Sequence, residues 1–256
     1  MKMKSIYSLW LIVAVVALLL TSVPVQASVI DDRIESSAQK SYVFTTYLQG
    51  DDIKVQSKDG VVTLTGTVSE ESHKSLAQET VAGLPGVESV DNRLEVKGDH
   101  PAEKSDAWLK AKVKTTLLFH RNVSTMTEVN AKDGTVTLQG DATSQAQKDL
   151  TTEYVKDVEG VKDVRNEMTV SKAMKTTGQT TGEKIDDASI TAQVKLSLLF
   201  HRSTSALNTI VATNFGAVTL SGKARNEAEK DLVTKLVNDI KGVKSVTNQM
   251  TIEESK

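Results

Sequence analysis

The sequence predicts an α+β protein made of three tandem small αββαβ modules, each a three-stranded mixed sheet packed against two helices. Three observations lead to that prediction. One pattern recurs in three segments, at residues 31–98, 105–172 and 186–254. In each segment, short stretches alternate apolar and polar residues, which is typical of strands. Other, longer stretches place their apolar residues on one helical face.

The register of the repeat rests on one strand-like stretch that begins and ends with glycine. It reads Gly-Val-Val-Thr-Leu-Thr-Gly at residues 60–66 and recurs, with small changes, at 134–140 and 216–222. In every copy a Gly-Val pair begins 20 residues after the final glycine, and a Val-x-Asn group begins four residues after that. Three copies in the same register are hard to obtain by chance, so we interpret the chain as a tandem repeat.

The first predicted element of each copy is a helix. An aspartate stands three residues before an apolar residue in every copy, as Asp31, Asp106 and Asp187. A carboxylate at this place can cap free backbone N–H groups and suits the positive end of the helix dipole. The apolar face that follows consists of Leu109, Val113 and Leu117 in the second copy and of Ile190, Val194 and Leu198 in the third.

A hairpin, a second helix and a last strand complete each copy. The hairpin joins a short strand around Val55, Val129 or Val211 to the glycine-bounded strand. Its turn is Asp-Gly in the first two copies and Asn-Phe-Gly, at residues 214–216, in the third. The second helix has its apolar residues on one face, and the Gly-Val pair suits its end.

The Val-x-Asn group places Asn92, Asn166 and Asn248 in the apolar register of the last strand. Two interpretations are open. The amide binds a ligand, or it ties down a neighbouring backbone segment, as a half-buried amide needs hydrogen-bond partners. We favour the second interpretation.

The N-terminus is predicted to be a signal peptide covering residues 1–27. Lys2 and Lys4 precede twelve continuous apolar residues, Leu9 to Leu20, which are short for a membrane span. The sequence Val-Gln-Ala that ends at Ala27 suits signal peptidase. No cysteine is present, which excludes disulfides, thiolate sites and a lipid-modified N-terminal cysteine. We expect a soluble periplasmic protein without a lipid anchor.

Two linkers are predicted between the copies. The first comprises residues 99–104, and the second comprises residues 173–185. The second is rich in Thr, Gly and Lys, so we expect it to be flexible.

The three copies resemble the BON domain. The resemblance rests on the Gly-x-Val-x-Leu-x-Gly strand, the step of 20 residues to Gly-Val, and the Val-x-Asn group. With its signal peptide, the chain is similar to the osmotically inducible periplasmic proteins, which usually carry two such domains. The resemblance implies a periplasmic stress protein that binds phospholipid surfaces or assists other envelope proteins. It transfers no catalytic residue.

Catalytic and metal chemistry find no support in the sequence. The four histidines form no His-x-x-x-His pair, and no cysteine is available beside them. The Asp-Gly turns lack the further oxygen ligands of a calcium loop. Neither a phosphate-binding loop nor a serine nucleophile elbow is present. We therefore expect no catalytic residue, no metal and no cofactor.

One feature is a candidate contact with a membrane or a partner protein. The first helices of the second and third copies end in a Phe-His-Arg group that the first copy lacks. The two groups are Phe119, His120 and Arg121, and Phe200, His201 and Arg202. An apolar tip beside a cation suits a lipid headgroup boundary or an unfolded client protein. The alternative is that both phenylalanines are buried while His and Arg favour the helix C-terminus.

Charge narrows the choice of partners. The chain has 31 Lys and Arg residues against 33 Asp and Glu residues, and no copy carries the strongly basic patch that drives binding to nucleic acid or anionic lipid. We expect a non-catalytic periplasmic envelope-stress protein with chaperone-like or scaffolding binding of envelope or unfolded exported proteins. The alternative is weak peripheral binding of phospholipid surfaces through the second and third copies. Nucleic acid is not an expected partner.

Overall fold

The chain folds as three modules, each in the order helix, strand, strand, helix, strand. The structure is a computed structural model that describes residues 24–98, 105–123, 127–171 and 184–253. The first module contains α1 (Pro24–Lys40), β1 (Asp52–Lys58), β2 (Val61–Val68), α2 (Glu71–Ala82) and β3 (Ser89–Val96). A single π-helical turn, Val43–Tyr47, follows α1.

The other two modules repeat this order. The second contains α3 (Asp106–Phe119), β4 (Glu128–Lys132), β5 (Thr135–Gln139), β6 (Asp141–Ala142), α4 (Gln145–Lys156), β7 (Asp163–Asn166) and β8 (Thr169–Val170). The third contains α5 (Asp187–Phe200), β9 (Thr209–Asn214), β10 (Ala217–Ala224), α6 (Glu227–Asn238), β11 (Ser245–Asn248) and β12 (Thr251–Ile252). A 3-10 turn, Ala206–Asn208, precedes β9. The predicted α+β class with three αββαβ modules is confirmed.

The glycine-bounded strand is the centre of every sheet. β2 pairs antiparallel with β1 and parallel with β3. β5 and β10 pair in the same way with the strands before and after them. A parallel neighbour needs a crossover, which α2, α4 and α6 supply. Buried positions alternate along β2, β5 and β10, so one face of each sheet belongs to the core and the other faces outward.

Glycine stands near the end of the central strand because the neighbouring backbone leaves no room for a side chain. Gly66 has a φ of 117°, and a Cβ atom there would lie 2.0 Å from the carbonyl oxygen of Asp52. A Cβ atom at Gly222 would lie 1.9 Å from the carbonyl oxygen of Asn208, just before β9. The hairpin turn is equally restricted, since Asp59 and Gly60 both have positive φ, 52° and 78°. This is the two-residue turn that matches the twist of a hairpin.

The recurring aspartate holds the hairpin turn rather than the start of its own helix. Asp31 accepts hydrogen bonds from the backbone N–H groups of Asp59 and Gly60, at 2.9 and 3.1 Å. The Ser57 hydroxyl and these amides lower the pKa of Asp31 below its ordinary value. The equivalent aspartates of α3 and α5 bind the equivalent turns. The prediction of a cap is therefore wrong, because the residue before each of these two helices caps it.

The three modules are packed against one another. The first and third modules share one continuous apolar core, and the second module has a core of its own. Between α2 and α5, Glu79 and Lys195 form an ion pair at 2.7 Å. At the end of α2, a Cβ atom added to Gly83 would lie 3.4 Å from Ala188. The expected flexible linker joins the second and third modules, which are also in contact through α3 and α5.

Some predictions fall outside the described residues. The linker 99–104 lies outside them, as does the linker 173–185 except for its last two residues. The predicted signal peptide also lies outside, except that residues 24–27 belong to the start of α1. In the described part of the chain, no helix combines the length and the apolar content that a membrane crossing requires.

Candidate functional site

The two Phe-His-Arg groups lie in the contact between the second and third modules. α3 and α5 both end at the phenylalanine because the following residue is extended. His120 has φ −80° and ψ 137°, and His201 has φ −83° and ψ 127°. Each extended segment pairs antiparallel with the segment that follows the second helix of the other module. His120 is bridged to Ile240, and His201 is bridged to Val158.

We call this reciprocal contact the clasp; it joins residues 119–121 to 239–241 and residues 200–202 to 157–159. In the first half, Arg121 N donates to the carbonyl oxygen of Asp239 at 3.2 Å. The next bond runs back, from Lys241 N to the carbonyl oxygen of Phe119 at 3.0 Å. The second half repeats both bonds at 2.9 Å each. The second and third modules therefore contribute matching segments to one contact.

The arginine of each group binds carbonyl oxygens of the other module. Arg121 Nη2 donates to the carbonyl oxygens of Ile240 at 2.8 Å and Val243 at 2.7 Å. Arg202 Nη2 likewise donates to carbonyl oxygens at and after the end of α4, among them Val161 O at 2.8 Å. Carbonyl groups that follow a helix lie at the negative end of its dipole, so a cation is favourable there.

The phenylalanines of both groups are buried. Phe119 has no exposed surface, and its ring centre lies 5.7 Å from that of Tyr47 in the core shared by the first and third modules. Phe200 is 9% exposed, and the Lys112 ammonium lies 5.3 Å from its ring centre. The interpretation that these two rings are partly exposed is wrong, and burial is right. Contact of the six residues with a membrane or a partner protein stays a prediction.

His120 is held by an aromatic ring and a carboxylate. It is fully buried, stacks on Tyr154 with 3.8 Å between ring centres, and has Nδ1 3.3 Å from the Asp239 carboxylate. The Tyr154 hydroxyl donates to the same carboxylate at 2.5 Å. Burial and that hydrogen bond raise the pKa of Tyr154 far above its ordinary value. Burial alone would raise the pKa of Asp239, but hydrogen bonds from His120 and Tyr154 bring it below its ordinary value.

His201 lies in a less polar position of the clasp. Its Nε2 is 3.7 Å from the Asp157 carboxylate, and its Nδ1 accepts a hydrogen bond from Ser203 N at 3.1 Å. Leu236 stands where the second module has Tyr154. Burial lowers the pKa of His201, and the Asp157 carboxylate opposes this shift. The clasp therefore favours the neutral form of His201.

A small cavity of about 10 Å³ lies between the two halves of the clasp. Thr116, Ser197 and both histidines line it. Within the described ranges, Thr116 Oγ1, Ser197 Oγ and His120 Nε2 are buried without a hydrogen-bond partner. The volume suits one water molecule, which typically makes about three hydrogen bonds to such groups.

The first module uses the end of its first helix in another way. Its π-helical turn docks on the start of α5, next to the clasp. Tyr42 N donates to the Asp186 carboxylate at 2.7 Å, and Val43 N donates to the Ser189 hydroxyl at 3.1 Å. Tyr47 reaches the end of α3, where its ring meets Phe119. The first module therefore covers the surface of the third module beside the clasp.

The matching surface of the second module is an open cleft of about 930 Å³. Trp108 and Lys112 of α3 line one side, and Leu199 and Phe200 of α5 line the other. The Lys112 ammonium lies 4.2 Å from the ring centre of Trp108. Trp108 stands where the third module has Ser189. Of two matched surfaces, one is covered by the first module and the other is open.

The sequence of these modules matches that of the BON domain at residues 30–98, 105–172 and 186–254. The chain belongs to the BON family. It is 30% identical to the osmotically-inducible protein Y of Escherichia coli, over 73% of this chain and 88% of that protein. It is 28% identical to the outer membrane lipoprotein DolP of Haemophilus influenzae, over 63% of this chain and 74% of that protein.

A solved structure is also similar to this BON-domain chain. It is that of CdsD, a structural protein of the type III secretion system of Chlamydia trachomatis. The sequence identity is 17% and the TM-score is 0.23, with 87% of this chain and 91% of that chain covered.

In each BON module, the asparagine of the Val-x-Asn group ties the last strand to the second helix. Asn248 Nδ2 donates to the carbonyl oxygen of Lys230 at 3.0 Å, and its Oδ1 accepts from Met250 N at 2.9 Å. Asn92 and Asn166 make the equivalent bonds. The interpretation of these asparagines as backbone ties is confirmed, because their donors and acceptors are used within the module.

Sequence reasoning missed an exposed apolar stripe on the third BON module. We call it the β9 stripe; it consists of Leu207, Ile210 and Phe215, which are 94%, 65% and 81% exposed. The first module has Lys54 and Asp59 at the positions of Ile210 and Phe215. Comparing the three hairpins position by position would have revealed this loss of charge.

Proposed function

We propose that this BON-domain protein is a non-catalytic envelope-stress protein that binds non-native segments of exported proteins, as a chaperone does. The observation that carries the proposal is the β9 stripe. Unfolded chains expose apolar segments, and an exposed apolar surface on a folded protein is a place where such segments bind. The proposal extends the expected chaperone-like or scaffolding role to a named surface.

Phe215 supports the proposal most directly. It occupies the first central position of the hairpin turn with a φ of 50°, which is unfavourable for a bulky side chain. Asp59 and Asp133 stand there in the other modules, and aspartate tolerates this conformation. Phe215 is largely exposed, so burial does not offset its backbone strain. A strained residue without a packing role supports a function in contact with another molecule.

The relatives support an envelope setting for this activity. One of them is named as osmotically inducible, and another is named as an outer membrane lipoprotein. The predicted signal peptide agrees with that setting. A protein exported to the envelope meets other exported chains before they have folded.

The contacts of the two clasp histidines support a non-catalytic role. The His120 ring stacks on Tyr154 and its Nδ1 faces Asp239, while His201 faces Asp157 and accepts from the backbone. His120 Nε2, which has no protein partner, is buried. Over the described ranges, no group of three His, Asp or Glu side chains could hold a metal ion. We propose that the histidines hold the second and third modules together.

An aggregation assay tests the proposed function. An outer-membrane β-barrel protein unfolded in urea is diluted into buffer, and light scattering is followed with and without the chain that begins at Ser28. We expect the chain to delay aggregation. Replacing the stripe with Leu207→Ser and Phe215→Asp should weaken the delay by about threefold or more, because a few apolar anchors carry most of such an interface.

Matched controls make the assay specific. Val61→Ser and Val170→Ser remove exposed apolar side chains of the first and second modules, each 43% exposed, and should leave the delay unchanged. A chain that does not delay aggregation at equimolar concentration would refute the proposed function. Equal loss in the control variants would refute the assignment to the β9 stripe.

Peripheral binding of phospholipid surfaces through the second and third modules is the alternative. Phe119 is fully buried, so a bilayer could meet it only after the modules separate, and Phe200 is reached only through the open cleft that it lines. The exposed side chains of the two groups are Arg121 and Arg202. Co-sedimentation with vesicles of neutral and of anionic phospholipid, at low and physiological salt, tests this alternative. Binding that needs anionic lipid and fades with salt would support it.

A further inference from the structure

We propose that the free edge of β9 binds an extended, uncharged segment of a non-native exported chain by pairing with it as an additional strand of the third module's sheet. This inference rests on the proposed function, since it specifies how and where the non-native chain is held. The Leu207 and Phe215 side chains, before and after the strand, would then contact the two ends of the bound segment.

The edge of β9 offers backbone groups for such pairing. β9 pairs antiparallel with β10 over six residues, Thr209 to Asn214, and with no second strand in the part of the chain that the structure describes. A strand at the edge of a sheet presents a row of N–H and C=O groups that another extended chain can pair with. Six residues span about 20 Å. That length allows several backbone hydrogen bonds to an added strand in one register.

The other two modules protect the same edge with charge. The outward-facing positions of β1 are Lys54, Gln56 and Lys58, and those of β4 are Glu128, Asn130 and Lys132. In β9 the matching positions are Ile210, Ala212 and Asn214. Charged side chains on an edge strand, lysine above all, hinder pairing with a further strand. The third module alone lacks this protection among three copies of one fold.

The loss of charge extends across the outward face of the sheet. In the first module this face carries Asp91 and Arg93 on β3, and in the second it carries Asp163 and Arg165 on β7. On β11 the outward residues are Ser245 and Thr247. The central strands carry threonine in all three modules. The outward residues of β9 and β11 are therefore uncharged, and on β10 the charged outward residue is Lys223, close to the end of the strand.

These features identify the chemistry of the occupant. The uncharged edge of β9 offers no opposite charge to pair with a charged side chain. We therefore expect the bound segment to carry uncharged side chains on the side that continues the outward face of the sheet. Strands of outer-membrane β-barrels alternate apolar and polar residues over about ten residues, which provides such a face. Before these strands are paired in their own barrel, their backbone groups are free to pair with β9. A non-native barrel strand is the occupant we propose.

Exchange of the edge residues between modules tests the inference. Ile210→Lys with Asn214→Lys gives β9 the charges of β1, and Lys54→Ile with Lys58→Asn gives β1 the residues of β9. All four positions tolerate both residue types in this fold. The probe is a fluorescein-labelled outer-membrane β-barrel protein, kept unfolded in a low concentration of urea, and its affinity is measured by anisotropy.

We expect the lysine pair in β9 to weaken binding by about tenfold, equivalent to about 1.4 kcal/mol, because charged side chains on an edge strand hinder pairing with a further strand. The reverse exchange in β1 should not weaken binding. Because the chain has no cysteine, an Ala212→Cys variant can carry a photo-crosslinker next to the edge, with Gln56→Cys as its match in β1. We expect the labelled barrel protein to crosslink to position 212 and much less to position 56.

The outcomes separate the two proposals. If the unaltered chain does not bind the probe, both the proposed function and this inference are wrong. If it binds and the lysine pair changes the affinity by less than twofold, the function stands and the edge is not the site. If sedimentation velocity shows a dimer that the lysine pair dissolves, a second copy of the chain occupies the edge, and the proposed occupant is wrong.

Discussion

The first helix of a module ends in two different ways in this molecule. In the second and third modules, α3 and α5 end at a phenylalanine, and the Phe-His-Arg group enters the clasp. In the first module, α1 is followed by a π-helical turn that docks on the start of α5. One position of a repeated fold therefore makes a reciprocal contact in one pair of modules and a one-sided contact in another.

The difference teaches how three similar modules acquire unequal surfaces. A reciprocal contact uses matching surfaces of both partners, so the second and third modules bury equivalent segments in the clasp. The one-sided contact covers the third module and leaves the matching cleft of the second module open. The hairpin turns also differ between equivalent positions. Asp59 and Asp133 occupy this position in the first two modules, and Phe215 occupies it in the third.

Phe119→Ala should give the largest effect on this comparison. It removes a fully buried ring from the core that the first and third modules share. Replacing a buried phenylalanine by alanine costs about 3–5 kcal/mol. Phe200→Ala should cost less, because this ring lies beside the open cleft. Urea unfolding measures both losses, and equal losses would contradict the contrast between a covered and an open surface.

Removal of the clasp arginines should have the next largest effect. Arg121→Ala and Arg202→Ala should each lower the free energy of unfolding by about 1–3 kcal/mol, since each breaks charged hydrogen bonds to carbonyl groups. The double variant should lose less than the sum, because the clasp opens once. Arg93→Ala, which removes an exposed ion pair with Asp91, should leave the unfolding midpoint unchanged. Strict additivity would indicate two independent contacts.

The pH dependence of stability should report on the burial of His201 in the clasp. Burial lowers the pKa of His201 in the folded protein, with Arg202 and His120 adding to the shift and Asp157 opposing it. A lowered histidine pKa contributes stability that is present above about pH 6.5 and lost as the pH falls through the folded value. The melting temperature should therefore fall between pH 7.5 and pH 5.5, and His201→Asn should reduce that fall. The same pH profile in both proteins would rule this contribution out.

The hairpin turn should show the smallest effect, and in the opposite direction. Phe215→Asp should stabilise the protein by about 1 kcal/mol, because aspartate tolerates the left-handed conformation better than phenylalanine does. Asp59→Phe makes the reverse change in the first module and should destabilise by a similar amount. Differential scanning calorimetry compares the two variants. A loss of stability in Phe215→Asp would mean that the phenylalanine packs favourably, which would weaken the argument for its functional role.

Local patterns were sufficient to predict the elements of every module. The glycine at the end of the central strand, the Asp-Gly turn and the asparagine of the last strand each act on neighbours within one module. Their effects therefore depend on steric and hydrogen-bonding rules that a short stretch of sequence already contains. The predicted place of the aspartate near the helix start is right for α3 and α5 and wrong for Asp31, because α1 already begins at Pro24. Its partner was not predicted, because the turn it binds lies 28 residues further on.

The candidate site could be predicted in part. The Phe-His-Arg groups were singled out correctly as unlike the first module, yet sequence alone left their burial undecided. Burial of Phe119 depends on Tyr47 and on the core of two other modules. No periodicity within the second module can report on that contact. The β9 stripe was present in the sequence and was overlooked, since a single copy shows it less clearly than the comparison of three.

The sequence by itself determined that this chain contains three copies of one αββαβ module, together with their turns, registers and BON family. These properties follow from spacing, from glycine and from hydrogen bonds made within about 70 residues, so each copy carries them independently. Only the tertiary structure decided which helix ends meet, which surface is covered and which is left open. Those outcomes depend on the fit between residues of different modules, such as Arg121 and Val243, which are 122 positions apart in the chain. Shape complementarity between such residues leaves no local pattern in the sequence.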